Sequence, residues 1–198
     1  VGQAPFLLQG FEQPPGRHIW QGEHVGKWIH ATTLACVAAP EPKRLALLQQ
    51  TVARLVAAQG EDGYLGTYLP PNRFDQPKDP RARSSWDVWT HRYVLYGLLV
   101  YDRHFPDPKA VAACVKIGDL LRRTFGPGGR ALNEVGTRSG LSSATVLESL
   151  VMLYERTGEA RFLQLAEHLV EGFERNPALR PTAAMREGLG VTVCGDGK

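Results

Sequence analysis

Three short segments of the chain concentrate residues that can do chemistry. The first, Gln21-Gly22-Glu23-His24-Val25-Gly26-Lys27-Trp28-Ile29-His30, gathers a carboxylate, an ammonium, an indole and two imidazoles. The second, Asp62-Gly63-Tyr64-Leu65-Gly66-Thr67-Tyr68, opens on an Asp-Gly pair suited to a tight turn and then presents two amphipathic rings. The third, Ser85-Trp86-Asp87-Val88-Trp89-Thr90-His91-Arg92-Tyr93, mixes aromatic rings with one acid and one imidazole. Such a mixture suits a sugar. Flat rings cover the apolar face of a pyranose or furanose, while His, Asp and Glu bind its hydroxyls. The candidate carbohydrate contacts are therefore His91, Trp89, Glu23, Asp87 and Tyr64. Each has a plain structural reading too. A Glu at a helix start favours the positive end of the helix dipole. Tyr64 and Tyr68 can pack on hairpin ends, and a buried His is commonly a core residue.

Other chemistries lack their signatures. The next His after His24 is His30, which does not give the His-Glu-x-x-His spacing of a zinc protease. Phe125-Gly126-Pro127-Gly128-Gly129-Arg130 is glycine-rich but lacks the Gly-Lys-Ser/Thr ending of a phosphate loop, and reads as a turn. No Gly-x-Ser-x-Gly elbow occurs. Carboxylates for paired acid–base work exist at Glu23, Asp87, Glu134 and Glu148, but sequence alone sets no distance between them.

The elements that must position these residues are helices. Apolar residues recur at helical spacing over 24–39, 43–59, 86–104, 109–124, 142–156 and 160–173. In the second of these, Leu48, Val52, Leu55, Val56 and Gln59 share a face. In the fourth the shared face is Val111, Cys114, Val115, Gly118 and Leu121; in the fifth, Leu147, Leu150, Val151 and Tyr154; in the sixth, Phe162, Leu165, Ala166, Leu169, Val170 and Phe173. Pro40-Glu41-Pro42 separates the first pair. Asp107 is placed to cap the helix opened by Pro108, and Gly60 and Gly158 to end the helices before them. The unit is helix, short turn, helix, long loop. Loops 61–85 and 125–141 exceed the roughly 12–15 residues of plain connectors. Each follows the second helix of a hairpin, so both belong on one rim. The expectation is an all-α protein of three antiparallel hairpins in an arc, with Glu23, Trp89 and His91 converging at that rim.

Composition narrows the partners. With 43% hydrophobic and 22% charged residues the 198-residue chain is globular rather than disordered. No apolar run reaches the roughly 18 residues of a membrane span. The 23 basic and 20 acidic residues are dispersed, without the basic cluster of a nucleic-acid binder. Cys36, Cys114 and Cys194 are too few and too far apart for a disulfide scaffold or a zinc box. Cys36 and Cys114 read as buried free thiols. No charged-then-apolar leader opens the chain, which points to a cytoplasmic protein, and Val1 in place of Met suggests an N-terminus cut short.

Four ordered segments resemble glycoside hydrolase family 127, the β-L-arabinofuranosidase family. They are Gly22-Glu23-His24-Val25-Gly26-Lys27-Trp28-Ile29-His30-Ala31, Asp62-Gly63-Tyr64-Leu65-Gly66-Thr67-Tyr68, Trp86-Asp87-Val88-Trp89-Thr90-His91 and Leu153-Tyr154-Glu155-Arg156-Thr157-Gly158. The resemblance implies an (α/α)6 toroid of six hairpins with the site at one mouth, of which residues 1–198 form about half, truncated at both ends. It also implies retaining hydrolysis of β-L-arabinofuranosides or a related plant-type glycan by the whole enzyme, with His91 as a sugar contact. In that family a Cys nucleophile, a Glu acid/base and a zinc held by Cys and Glu come from later hairpins. None of these roles transfers to Cys36, Cys114 or Cys194, so the expectation is no catalytic residue and no cofactor in this chain, with zinc bound by full-length members. Where the family often carries Gly-His-Pro-Glu, this chain has Gly140-Leu141-Ser142-Ser143, and no sugar contact transfers to that helix.

Two other readings fit the helices. One is a non-catalytic helical-repeat module binding a peptide or glycan on its concave face. The other is a different toroid enzyme, such as an epimerase or an unsaturated glucuronyl hydrolase. An open half-barrel should also expose the apolar surface of Leu150, Leu165 and Leu169 and so self-associate.

Overall fold

A computed structural model describes residues 4–75, 85–136 and 140–176. Among them are seven α-helices and no strand: α1 (Ala4–Glu12), α2 (Glu23–Ala38), α3 (Pro42–Ala57), α4 (Asp87–His104), α5 (Pro108–Phe125), α6 (Val146–Thr157) and α7 (Ala160–Glu174). The last six pair as the expected hairpins α2/α3, α4/α5 and α6/α7. Helices α2, α4 and α6 pack side by side in one layer, and α3, α5 and α7 form a second layer over it. Within the first layer the helices run parallel. Glu23 meets Trp89 and Gly26 meets Gly97, while Arg92 meets Glu148 and Asp102 meets Arg156.

The two layers close on the stripes that helical spacing dictates. Leu48, Val52 and Leu55 of α3, Ile117 and Leu121 of α5, and Phe162, Leu165, Leu169 and Phe173 of α7 face Ile29 of α2, Leu95 and Leu98 of α4 and Leu150 and Leu153 of α6, all buried. Full burial of one such side chain stabilises the fold by about 1.5–3 kcal/mol. Helix α4 is buried nearly all round because α2, α5 and α6 all touch it.

Helix α2 lies unusually close to α4. A methyl group on Gly26 would fall 2.0 Å from the carbonyl oxygen of Tyr93, and one on Gly97 would fall 2.5 Å from the carbonyl oxygen of Gly26. Backbone touches backbone here, and only glycine permits it. This contact sets the spacing between the two helices whose first turns carry Glu23 and Trp89.

Caps behave as their residues dictate, with one exception. The Asp107 carboxylate accepts the Lys109 amide at 2.9 Å and the Ala110 amide at 3.3 Å. Asp107→Ala should therefore cost about 1 kcal/mol of stability, measurable by urea denaturation. Gly158 ends α6 in the left-handed conformation, φ 72°. Gly60 does not end α3. That helix stops at Ala57 on a right-handed Ala58, and the left-handed glycine of this stretch is Gly63, φ 89°. Its backbone lies against the Lys116 carbonyl, which leaves no room for a side chain.

Three further expectations are corrected. Hydrophobic periodicity does not reveal α1, because nine residues with Gly10 near the end show too little of it. The helix forms because Leu7, Leu8 and Phe11 are buried and Glu12 pairs with Arg54 of α3 at 2.8 Å. The inward face of α6 is Val146, Ser149, Leu150 and Leu153, turned from the expected stripe, so Val151 is exposed; Val170 of α7 is exposed as well. Leu150, Leu165 and Leu169 are buried, because the two layers close on one another within this chain: Leu150 of α6 lies on one side of the seam and Leu165 and Leu169 of α7 on the other. Among the described residues, the large apolar side chains left outside are instead Phe6, Trp20, Leu34, Val37, Leu69, Val151 and Val170. Cys36 and Cys114 are buried free thiols, and burial pushes the Cys114 thiol up, away from the reactive thiolate. Cys194 and the chain end lie outside the described residues. No helix among the described residues is long and apolar enough to cross a membrane.

Candidate functional site

The long loops do meet at one end of the layers. Phe74 of the first packs edge-on against Phe125 at the start of the second, ring centres 5.5 Å apart, and Ser85 lies beside Gly136. The five candidate residues fall into two groups at this end, one partly open and one sealed.

The open group stands on the first turns of α2 and α4. Glu23, 15% exposed, pairs with Lys27 one turn along at 2.9 Å and accepts the indole N–H of Trp89. Lys27 also lies over the ring of Tyr93, 4.4 Å from its centre, and Arg92 lies 4.2 Å from that centre while its guanidinium pairs with Glu148 at 2.7 Å. Trp86 meets Trp89 edge-to-face at 5.7 Å, and Trp89 meets Tyr93 the same way at 5.2 Å. The result is a half-buried wall of three aromatic rings with a carboxylate and two cations at its edge. Such rings offer flat apolar faces, and the charged groups offer hydrogen bonds to hydroxyls.

The sealed group is Tyr64, Asp87 and His91. Asp87 and His91 are one helical turn apart, hence on one face of α4, and that face looks into the molecule. Both are essentially without solvent contact. Asp87 accepts the Tyr64 hydroxyl at 2.6 Å through one oxygen and the Phe74 amide at 3.0 Å through the other. The His91 Nε2 accepts the Leu65 amide at 3.2 Å, which leaves Nδ1 to carry the proton and donate it to the Asp87 carbonyl at 2.8 Å. That is the neutral imidazole. Burial lowers its pKa to about 4, in keeping with an unprotonated Nε2. Burial raises the Asp87 carboxyl to about 7, outweighing the hydrogen bonds from Tyr64 and Phe74 and the nearby Arg73. Burial also pushes the Tyr64 hydroxyl well above its ordinary range and the Tyr68 hydroxyl up to about 12. Arg73 closes the outside of the group, 3.6 Å above the Tyr64 ring and paired with Asp62 at 2.8 Å.

His91 and Glu23 therefore do not share a site. The convergence of first turns brings Trp89 to Glu23 as expected, but His91, two residues on, points to the opposite side of α4. In this chain every hydrogen-bonding atom of the His91 ring is committed to backbone. Sequence reading passed over Arg73, Phe74 and Arg92. Nothing in their local pattern marks Arg73 or Phe74; Arg92 was hidden among the apolar residues of a buried helix.

A family model described as the beta-L-arabinofuranosidase, GH127 catalytic domain matches residues 7–188. The chain belongs to this family. A curated relative, the non-reducing end beta-L-arabinofuranosidase of Bifidobacterium longum subsp. longum, is 28% identical over 163 residues, covering 80% of this chain and 24% of its own length. Among solved structures, a GH127 beta-L-arabinofuranosidase from Geobacillus stearothermophilus T6 superposes with a TM-score of 0.64 at 19% identity, over 98% of this chain and 30% of that one. A second GH127 beta-arabinofuranosidase gives 0.65 at 16% identity, over 89% and 29%. The GH127 chain thus spans less than a third of these relatives, and its two helical layers are a part of an α/α toroid.

The described residues offer no ligand set that fits a zinc ion. Among those described no three His, Cys, Asp or Glu side chains converge, and both described thiols are buried among apolar groups. No step is therefore assigned to a metal on this part of the GH127 domain.

Proposed function

We propose that this chain is the N-terminal part of a GH127 glycoside hydrolase that acts on β-L-arabinofuranosides, and that it supplies one wall of the sugar site. The observation that carries the reading is the rim cluster of Glu23, Lys27, Trp86, Trp89 and Tyr93 on a chain of this family. Trp86 and Trp89 offer ring faces to the apolar side of a furanose. Glu23, already fixed by Lys27 and Trp89, accepts hydrogen bonds from sugar hydroxyls. With its carboxylate already engaged by Lys27 and Trp89, Glu23 is given a binding role here and not that of the acid/base. The bond-breaking groups and any zinc belong to the remainder of the family domain.

The test is hydrolysis of an aryl β-L-arabinofuranoside. The 198-residue chain should release no aglycone, whereas a chain extended through the rest of the GH127 domain should. In the extended enzyme, Trp89→Ala should raise KM about tenfold, equivalent to about 1.4 kcal/mol of lost binding. Turnover by the short chain, abolished by Glu23→Ala, would place the chemistry in this half and overturn the reading.

A further inference from the structure

The sealed group lies directly behind the wall, and its hydrogen bonds run in one direction, donated by the loop over 61–75 to acceptors on α4. Asp87 takes the Tyr64 hydroxyl and the Phe74 amide; His91 takes the Leu65 amide. The loop then returns the contact. The Tyr64 hydroxyl accepts the Tyr68 amide at 3.0 Å, and the Tyr68 hydroxyl accepts the Trp86 amide at 3.1 Å while donating to the Ile19 carbonyl at 2.5 Å. Trp86 is one of the wall rings. A chain of hydrogen bonds thus links Asp87 in the interior of α4, through Tyr64 and Tyr68 of the loop, to the backbone amide of Trp86.

Phe74 adds an independent sign that this loop is held rather than relaxed. Its φ of 52° is the single left-handed value among described non-glycine residues. A bulky side chain adopts that conformation only when its surroundings impose it. Here they do. The Phe74 amide is taken by Asp87, and its ring is enclosed by Tyr64 at 6.0 Å, His91 at 5.4 Å and Phe125 at 5.5 Å.

We infer that Asp87, His91 and Tyr64 are positioning residues: they touch no ligand, and they hold the loop over 61–75 so that Tyr68 sets the place of Trp86 on the wall. The role assigned to His91 is that of a neutral acceptor for the Leu65 amide. The polar groups facing this lock are Tyr64, Tyr68, Asp62 and Arg73 from the loop and Asp87 from α4, with Phe125 of α5 closing it on the apolar side. This inference deepens the proposed sugar wall, but its test needs neither a sugar nor turnover, so the two can fail separately.

Nitrogen-detected NMR of the His91 ring in the full 198-residue chain should show the Nδ1–H tautomer, unchanged between pH 5 and pH 8, and a Leu65 amide strongly protected from solvent exchange. His91→Leu keeps the volume and removes the acceptor. It should lower Leu65 protection at least tenfold and shift the Trp86 indole resonance, with core amides of α3 and α5 unchanged. His91→Gln restores an acceptor and should restore both signals, and Tyr68→Phe should shift Trp86 while leaving Leu65 protected. A His91 ring that titrates within that pH range, or a Leu65 amide and Trp86 resonance indifferent to His91→Leu, would overturn the assignment. The tautomer of the unmodified protein decides the matter even where a variant fails to fold.

Discussion

Gly26→Ala should cost at least about 3 kcal/mol and prevent the chain from holding its fold. Overpacking a core ordinarily costs about 1–3 kcal/mol, because side chains rotate away from the added methyl. At Gly26 nothing can rotate. The added carbon would lie 2.0 Å from the Tyr93 carbonyl oxygen and 2.3 Å from its carbonyl carbon. Relief requires α2 to move bodily from α4, which also pulls Glu23 from Trp89. Urea denaturation with circular dichroism measures the loss. A midpoint within experimental error of the parent's would show that the two helices do not cross on this glycine.

The second large effect is a pH dependence that appears only when one member of the sealed group is removed. In the fold, burial lowers His91 to about 4 and raises Asp87 to about 7. The unfolded values are about 6.5 and about 3.9. For His91 the lowered value means that its favourable contribution is present above pH 6.5 and is lost as pH falls towards 4. For Asp87 the raised value means that its favourable contribution is present below pH 3.9 and is lost as pH rises through 7. Over the same window the unfolded chain gives its proton to the imidazole and the folded chain gives it to the carboxyl. The proton counts nearly match, so the parent protein should show little pH dependence from this group. Asp87→Asn leaves His91 uncompensated, and stability relative to the parent should fall by about 3 kcal/mol between pH 6.5 and pH 4. His91→Gln leaves Asp87 uncompensated, and stability relative to the parent should rise by about 3 kcal/mol from pH 6.5 down to pH 4. Denaturation midpoints across that range, taken as differences from the parent, read both slopes. Parallel curves for all three proteins would show that neither group is sealed from water.

The sequence made the hairpins legible for a simple reason. Stripes such as Leu48, Val52 and Leu55 repeat at the helical period, and breakers such as Pro42 and Pro108 stand at the ends. What it hid was rotation and approach. One residue of error in the phase of α6 exchanged Leu153 for Val151 and Tyr154, since a short helix with apolar residues on several sides has no sharp stripe. The meeting of α2 and α4 rests on the absence of side chains at Gly26 and Gly97, which a hydrophobic pattern does not record.

The candidate site was legible in part for the same reason. Glu23 and Trp89 sit on first turns, so parallel neighbouring helices bring them together. Asp87 and His91 are four residues apart, and that spacing could have placed both on one face. It could not say whether the face looked inward, because the loop that covers them, with Tyr64, Leu65 and Phe74, has no periodicity of its own. The residue that looked most like a sugar ligand in sequence is, in this chain, a core histidine holding a loop.

The proposed sugar-binding wall consists of Glu23 on the first turn of α2, Trp86 just before α4, and Trp89 and Tyr93 on the first two turns of α4. The most direct measurement is an NMR titration of the 198-residue chain with methyl β-L-arabinofuranoside. Saturable shifts should appear at the indole N–H groups of Trp86 and Trp89 and at the backbone amides of Glu23 and Tyr93, and should vanish in Trp89→Ala. Shifts confined elsewhere, for instance to the cleft lined by Arg130, His168 and Arg175, or no shift at the wall at any sugar concentration, would contradict the account.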